Sequence, residues 1–151
     1  MAKGTNYVEI GRDLGALLED ETDVIAKMAS VAAVLYDRMD DVSFCGFYRV
    51  TEPDELVIGP YQGPVGCLRI AFGRGVCGAA AKETRSVLVP DVHAFPGHIA
   101  CDASSRSELV VPVISGDGTL LAVLDLDSRS PARFDEHDQT ELEALLRQVF
   151  S

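Results

Sequence analysis

Three of the four cysteines in this chain, Cys67, Cys77 and Cys101, fall in stretches of Gly, Pro, Asp and His rather than in apolar runs. Loop cysteines of a reducing compartment usually exist for their reactivity. If the fold brings these three together, one thiolate can attack an oxidised substrate and another can resolve the product, which is thiol redox chemistry. Cys45 alternates within the apolar run FCGFYRV and reads as ordinary packing.

Three carboxylates accompany the cysteines. Glu108 opens an apolar segment, and Asp125 and Asp127 stand two apart in LDLD. Residues two apart in a strand share a face, so Asp125 and Asp127 project together while Leu124 and Leu126 point the other way. The stretch PDVHAFPGHIACDASSRSE, from Pro90 to Glu108, is the longest without periodicity and concentrates two His with Cys101. Its own apolar residues, Val92, Phe95, Ile99 and Ala100, make an ordered lid over a pocket the expectation. Within it, His98 favours a thiolate at Cys101 if it lies close, and Asp102 opposes one.

Other chemistries fit less well. Cys67, Cys77, His93, His98 and Cys101 are possible zinc ligands, but no pair has the C-x-x-C spacing of a structural site, so no metal is expected. The segment AFGRGVCGAA lacks the Lys-Ser/Thr ending of a phosphate loop.

The elements that must position these residues follow from periodicity. From Thr22, Val24, Ile25, Met28, Val31, Ala32, Leu35, Tyr36 and Met39 recur every three or four residues and predict a helix, capped by Thr22 or Asp20. A shorter helix from about Gly11 to Glu19 precedes it. A last helix starts at Asp135, with Asp138 three residues on and Leu142, Leu145, Leu146 and Val149 on one face. Between them, segments beginning at Phe44, Glu55, Leu68, Ser86, Glu108 and Leu120 read as strands. The segments joining them look too short for crossover helices, and Gly116-Asp117-Gly118 is the clearest hairpin turn. The expectation is a single α+β domain over residues 1–151, with an antiparallel sheet of about six strands flanked by N- and C-terminal helices.

Thirteen basic against twenty-four acidic side chains leave a net charge of −11, which argues against nucleic acid and anionic membranes as partners. No stretch resembles a secretion signal or approaches the ~20 apolar residues of a membrane helix, so a cytoplasmic protein with thiols as its resting state is expected.

The segments FCGFY, GPYQGPVGCLRIAFGRGVCG, VPDVHAFPGHIACDASSRSELVVPV, LAVLDLDS and FDEHD together closely resemble the free methionine-(R)-sulfoxide reductases, which are stand-alone GAF-domain enzymes. The resemblance runs from about Ser43 to Asp138. It implies a GAF-like fold and reduction of the free amino acid methionine-(R)-sulfoxide to methionine. It also implies Cys101 as nucleophile, Cys67 as the main resolving thiol and Cys77 as an auxiliary partner. Glu108, Asp125 and Asp127 match carboxylates that hold the substrate and its sulfoxide, with Asp127 the candidate proton donor, and Phe44 and Tyr48 match aromatic positions. The family usually has Trp where this chain has Phe44. No bound cofactor is implied; thioredoxin is the external dithiol reductant, and a homodimer is the expected assembly. The rival readings are a non-catalytic GAF module that senses a small ligand and a peroxide-type thiol sensor.

Overall fold

The computed structural model describes residues 4–98 and 102–151. Helix α1 (Tyr7–Leu17) begins where the Asn6 side chain accepts the Glu9 N–H, and it buries Tyr7, Ile10 and Leu14 on one stripe. It therefore starts four residues before the Gly11 expected from sequence, because Tyr7 and Ile10 continue the stripe toward the N-terminus. Helix α2 (Val24–Arg38) is capped by Asp23, whose carboxylate accepts the Ala26 N–H, rather than by Thr22 or Asp20. It buries Met28, Val31, Ala32 and Leu35. Helix α4 (Glu136–Phe150) carries the expected reciprocal cap, with Asp135 and Asp138 each accepting the other's backbone N–H.

Six strands lie between α2 and α4: β1 (Phe44–Glu52), β2 (Glu55–Gln62), β3 (Arg69–Ala71), β4 (Val87–Val89), β5 (Ser107–Ile114) and β6 (Leu120–Ser128). They form one antiparallel sheet in the order β3-β2-β1-β6-β5-β4. The expected α+β, GAF-like arrangement is what the chain adopts. The turn between β5 and β6 is the predicted one, with Gly118 at φ +88° and Thr119 closing back on Ser115.

A larger departure from expectation lies between β3 and β4. The segment between β3 and β4 is not loop but helix α3 (Gly75–Glu83), so Cys77 sits in a helical first turn rather than in a loop. Helix α3 lies close on the chain entering it: a Cβ on Gly78 would stand 2.6 Å from the Ala71 carbonyl oxygen. Small residues there allow that approach.

Each face of the sheet carries its own core. On one face, Cys45, Phe47, Leu109, Val111, Leu124 and Leu126 pack against α1, α2 and α4. Cys45 is fully buried there, in the packing role expected of it. On the other, Phe44, Tyr48, Val110 and Val123 pack against Val76, Cys77, Ala80 and Ala81 of α3 and against Val92 of a short 3-10 turn, Val92–Ala94. The second face holds the site.

Candidate active site

Register brings the three acids together. On the central strands, Asp127 of β6 pairs with Glu108 of β5 on one side and Phe44 of β1 on the other. One pleat further, Asp125 pairs with Val110 and Gly46. Alternation puts Phe44, Glu108, Asp125 and Asp127 on the α3 face, while their sequence neighbours Cys45, Leu109, Leu124 and Leu126 fill the opposite core. Glu108, Asp125 and Asp127 line one cavity of about 540 Å³, its open mouth included.

The remaining wall is assembled from distant segments. Gly75, Val76 and Cys77 present the start of α3, Pro64, Val65 and Gly66 come from the loop after β2, and His98, Asp102 and Ser105 come from the segment after the 3-10 turn. Val92 of the 3-10 turn is buried in the apolar cluster of this face, and Phe95 packs against that cluster. Phe44 forms an aromatic wall with two tyrosines: its ring centroid is 6.4 Å from that of Tyr48 and 5.3 Å from that of Tyr61. Tyr61, Arg74 and Ser105 were not singled out from sequence. Ser105 and Arg74 carry no pattern that would mark them, whereas Tyr61 is signalled by its place beside Gly46 in the β1–β2 ladder once that pairing is known.

Burial dominates the electrostatics. Glu108 is 6% and Asp125 4% exposed, and removal from water raises the proton affinity of all three carboxyls. Mutual repulsion and hydrogen bonding then separate them. Glu108, raised well above the usual range, donates toward Asp125 and Asp127; Asp127, also raised well above it, donates toward Asp125. Asp125 is the shared acceptor, and the hydrogen bonds it receives from Glu108, Asp127 and Cys77 pull against its burial. Written as carboxylates, the three have no proton to share, and Oδ1 of Asp125 is then buried with no donor. The arrangement is a buried acidic cluster in which removal from water raises the proton affinity of all three carboxyls.

The thiols differ from one another. Burial, followed by the charges of Asp125 and Glu108, pushes the Cys77 thiol well above its ordinary range, and its Sγ lies 4.0 Å from Oε2 of Glu108. Cys77 is a protonated thiol in this setting, not a ready thiolate. Cys67 packs at the edge of the same apolar cluster and is disulfide-bonded, so thiols throughout, as expected from sequence, is not the state of this structure. Cys101, the expected nucleophile, lies outside the described residues. His98 places Nε2 3.8 Å from Oε1 of Glu108, and burial, followed by the charge of His93, lowers its pKa. Asp102 accepts hydrogen bonds from the backbone N–H and hydroxyl of Ser104, which hold its carboxylate below the usual range, and it stands 3.7 Å from Arg129.

The GAF domain pattern matches residues 13–150. Over 149 residues the chain is 43% identical to the free methionine-R-sulfoxide reductase of Escherichia coli, a match covering 99% of this chain and 89% of that protein. The crystal structure of the free methionine-R-sulfoxide reductase from Neisseria meningitidis in complex with its substrate superposes with a TM-score of 0.91 at 45% identity, covering 99% of this chain and 90% of the other. The substrate complex of the Staphylococcus aureus protein named fRMsr gives 0.91 at 42% identity, over 99% and 96% of the two chains. With an acid-lined cavity on a GAF sheet and relatives matched over nearly their whole length, the chain belongs to the GAF-domain family and, within it, to the free methionine-(R)-sulfoxide reductases, which are oxidoreductases.

Proposed function

We propose that this protein reduces free methionine-(R)-sulfoxide to methionine, with Cys101 as nucleophile, Cys67 as resolving thiol and thioredoxin as the source of electrons. The observation that carries the reading is the cluster of Glu108, Asp125 and Asp127 in one cavity, where burial raises the proton affinity of all three carboxyls.

A free amino acid brings an ammonium, a carboxylate and, here, a sulfoxide oxygen. Asp125, the acceptor of the cluster, suits the ammonium. Asp127, whose carboxyl is raised well above the usual range and which is only half-buried, is the acid best placed to meet an incoming sulfoxide oxygen. The start of α3 suits the substrate carboxylate: its first-turn N–H groups have no side-chain cap, and Gly75, Val76 and Arg74 line the cavity. Phe44 and Tyr48 give the methyl group an apolar wall, with Tyr61 stacked on Phe44.

The Cys101 thiolate attacks the sulfoxide sulfur, and a proton from Asp127 helps the oxygen depart from it. The sulfur–oxygen bond of the substrate breaks, the oxygen passes to Cys101 as a sulfenic acid, and methionine leaves as the reduced thioether. The Cys67 thiolate then attacks the sulfenic sulfur. Water is released and a disulfide forms, which two electrons from the thioredoxin dithiol return to thiols. The disulfide at Cys67 in this structure supports its place in that cycle. Val8 and Leu17 of α1 and Ile25 of α2 are exposed, which supports a homodimer that covers them.

The test starts from fully reduced protein. Adding methionine-(R)-sulfoxide consumes two thiols per methionine formed; a ligand sensor loses none, and a peroxide sensor loses thiols only to peroxide. Cys101→Ser abolishes methionine formation, and Cys67→Ser releases about one methionine per chain and then stalls without efficient recycling. Turnover by Cys101→Ser at the native rate would refute the assignment.

A further inference from the structure

The acid cluster has a second capability that the redox cycle does not use. Sγ of Cys77, a carboxylate oxygen of Glu108 and one of Asp125 lie within 4.8 Å of one another, all buried. Independently, Oδ1 of Asp125 is buried without a donor in the carboxylate form and lines the cavity. Nε2 of His98 stands 3.8 Å from Oε1 of Glu108 and faces the same space. Cys77 and His98 are among the residues weighed as zinc ligands from sequence, and Glu108 and Asp125 stand where Cys67, His93 and Cys101 were considered.

We propose that Cys77, Glu108, Asp125 and His98 bind a divalent cation of the zinc and cobalt class, and that the ion excludes substrate from the cavity. One sulfur, one imidazole nitrogen and two carboxylate oxygens make a borderline-soft, four-donor set. That set selects Zn²⁺ or Co²⁺ over Mg²⁺ or Ca²⁺, which need six or more oxygens. Bonds of about 2.0–2.3 Å to a tetrahedral ion put donors roughly 3.3–3.8 Å apart, so Cys77, Glu108 and Asp125 close in by about an ångström and His98, outside that group of three, swings further toward them. Binding releases the Cys77 proton and any proton on Glu108 to solvent, and the ion's two positive charges offset the repulsion between the acids.

The ion occupies Asp125 and Glu108, which the substrate needs. Inhibition therefore proceeds without touching Cys101 or Cys67. The effect on turnover, unlike the binding itself, rests on the function proposed above.

The experiment titrates Co²⁺ into chelator-stripped protein with its disulfide intact, so that Cys67 is not a thiol donor. A near-ultraviolet thiolate-to-cobalt band and tetrahedral visible bands should saturate at one equivalent. Cys77→Ser should lose the near-ultraviolet band, Cys45→Ala should keep it, and Glu108→Gln should weaken binding roughly tenfold or more. Saturating methionine-(R)-sulfoxide should raise the apparent Kd for cobalt by a similar factor. Absence of both bands in folded native protein at millimolar cobalt overturns the site, as does an unchanged near-ultraviolet band in Cys77→Ser. Indifference of cobalt binding to the substrate overturns the competition. Turnover of metal-free protein is measured separately: its failure would sink the proposed reaction while leaving the cobalt spectra intact.

Discussion

Replacing Glu108 by Gln should make this protein more stable at neutral pH and a worse enzyme. Glu108 is 6% exposed, and burial first, then the charges of Asp125 and Asp127, raise its pKa well above the ordinary carboxylate range. A carboxyl with a raised folded pKa supports the fold fully below its unfolded value of about 4.3 and loses that support as pH climbs toward the folded value. Over that interval the folded chain must keep a proton that the unfolded chain gives up, at about 1.4 kcal/mol per pH unit. From about pH 4.3 to 7 this amounts to roughly 3–4 kcal/mol for a group that stays protonated throughout. Gln has the same shape, still donates toward Asp125 and never titrates, so it escapes the loss. Equilibrium urea unfolding at pH 5, 6 and 7 reads the difference directly. The midpoints of the two proteins should nearly coincide at the acid end and separate by about 1–2 M at pH 7, for a urea slope of about 2 kcal/mol per molar. Groups remote from the cluster cancel in the comparison, whereas Asp125 and Asp127 interact directly with Glu108 and contribute to the difference. Asp102, Asp117 and Asp135 have lowered pKa values, so their stabilisation is lost only as pH falls below this window, and His98, lowered too, costs stability below about pH 6.5 in both proteins. A difference that does not grow with pH, or a variant that is less stable at pH 7 than at pH 5 relative to the native protein, would refute the shared-proton account of the cluster.

Three further changes test separate parts of the structure. Asp127→Asn keeps a hydrogen-bond donor but removes the transferable proton, so single-turnover methionine release from reduced protein should slow by about 10²-fold or more with little change in the urea midpoint; an unchanged rate removes Asp127 from the reaction. Gly78→Ala puts a methyl group 2.6 Å from the Ala71 carbonyl oxygen and 3.1 Å from the Gly73 nitrogen, and the strain of about 1–3 kcal/mol should outweigh the ~1 kcal/mol helix gain. Thermal unfolding should register a net loss, and KM should rise because the start of α3 lines the cavity; a stabilised variant would show that α3 has room to move. Tyr7→Phe removes the 2.5 Å hydrogen bond from the Tyr7 hydroxyl to Oδ1 of Asp138, which joins the start of α1 to the start of α4. Because Asp138 keeps its bond from the Asp135 N–H and lies 3.6 Å from Arg133, the loss should be about 1–2 kcal/mol by chemical denaturation, with activity unchanged.

The helices α1, α2 and α4 were legible because each carries an apolar stripe whose spacing is set by local geometry. Helix α3 was not. Gly75, Gly78 and Ala79 to Ala81 leave it little apolar periodicity, and its glycines read as loop. What makes it a helix is tertiary: α3 must pass close to Ala71, which only small residues permit, and its Val76, Ala80 and Ala81 then find the sheet. The same division holds for the site. That Asp125 and Asp127 share a face follows from the two-residue period of a strand, and it was foreseen. That Glu108 sits beside Asp127 depends on β5 pairing with β6 in one particular register, and that Phe44 lies on the other side depends on β1 meeting β6 across some eighty residues of chain. Cys77 illustrates the cost of missing the helix. A cysteine in a Gly-rich loop suggests a mobile, reactive thiol, whereas the first turn of α3 buries it against two acids and keeps it protonated.

Those acids explain why such a cavity would accept a free amino acid and refuse the same residue within a peptide. The three carboxyls share one buried cavity, and a carboxylate on Asp125 is removed from water there. An α-ammonium satisfies it. A peptide bond in the same place offers a neutral N–H and brings a neighbouring residue into a space bounded by α3 on one side and by Phe44 and Tyr48 on the other. The carboxylate would then stay desolvated without a cation, a mismatch that sites of this kind can reject by as much as 10⁴–10⁵-fold. The same logic accounts for the metal proposed above, since any cation able to enter meets the charge that the ammonium would. It also accounts for the stability expected of Glu108→Gln: the group that holds the site's charge and protons in place for substrate is one the empty fold would be better without.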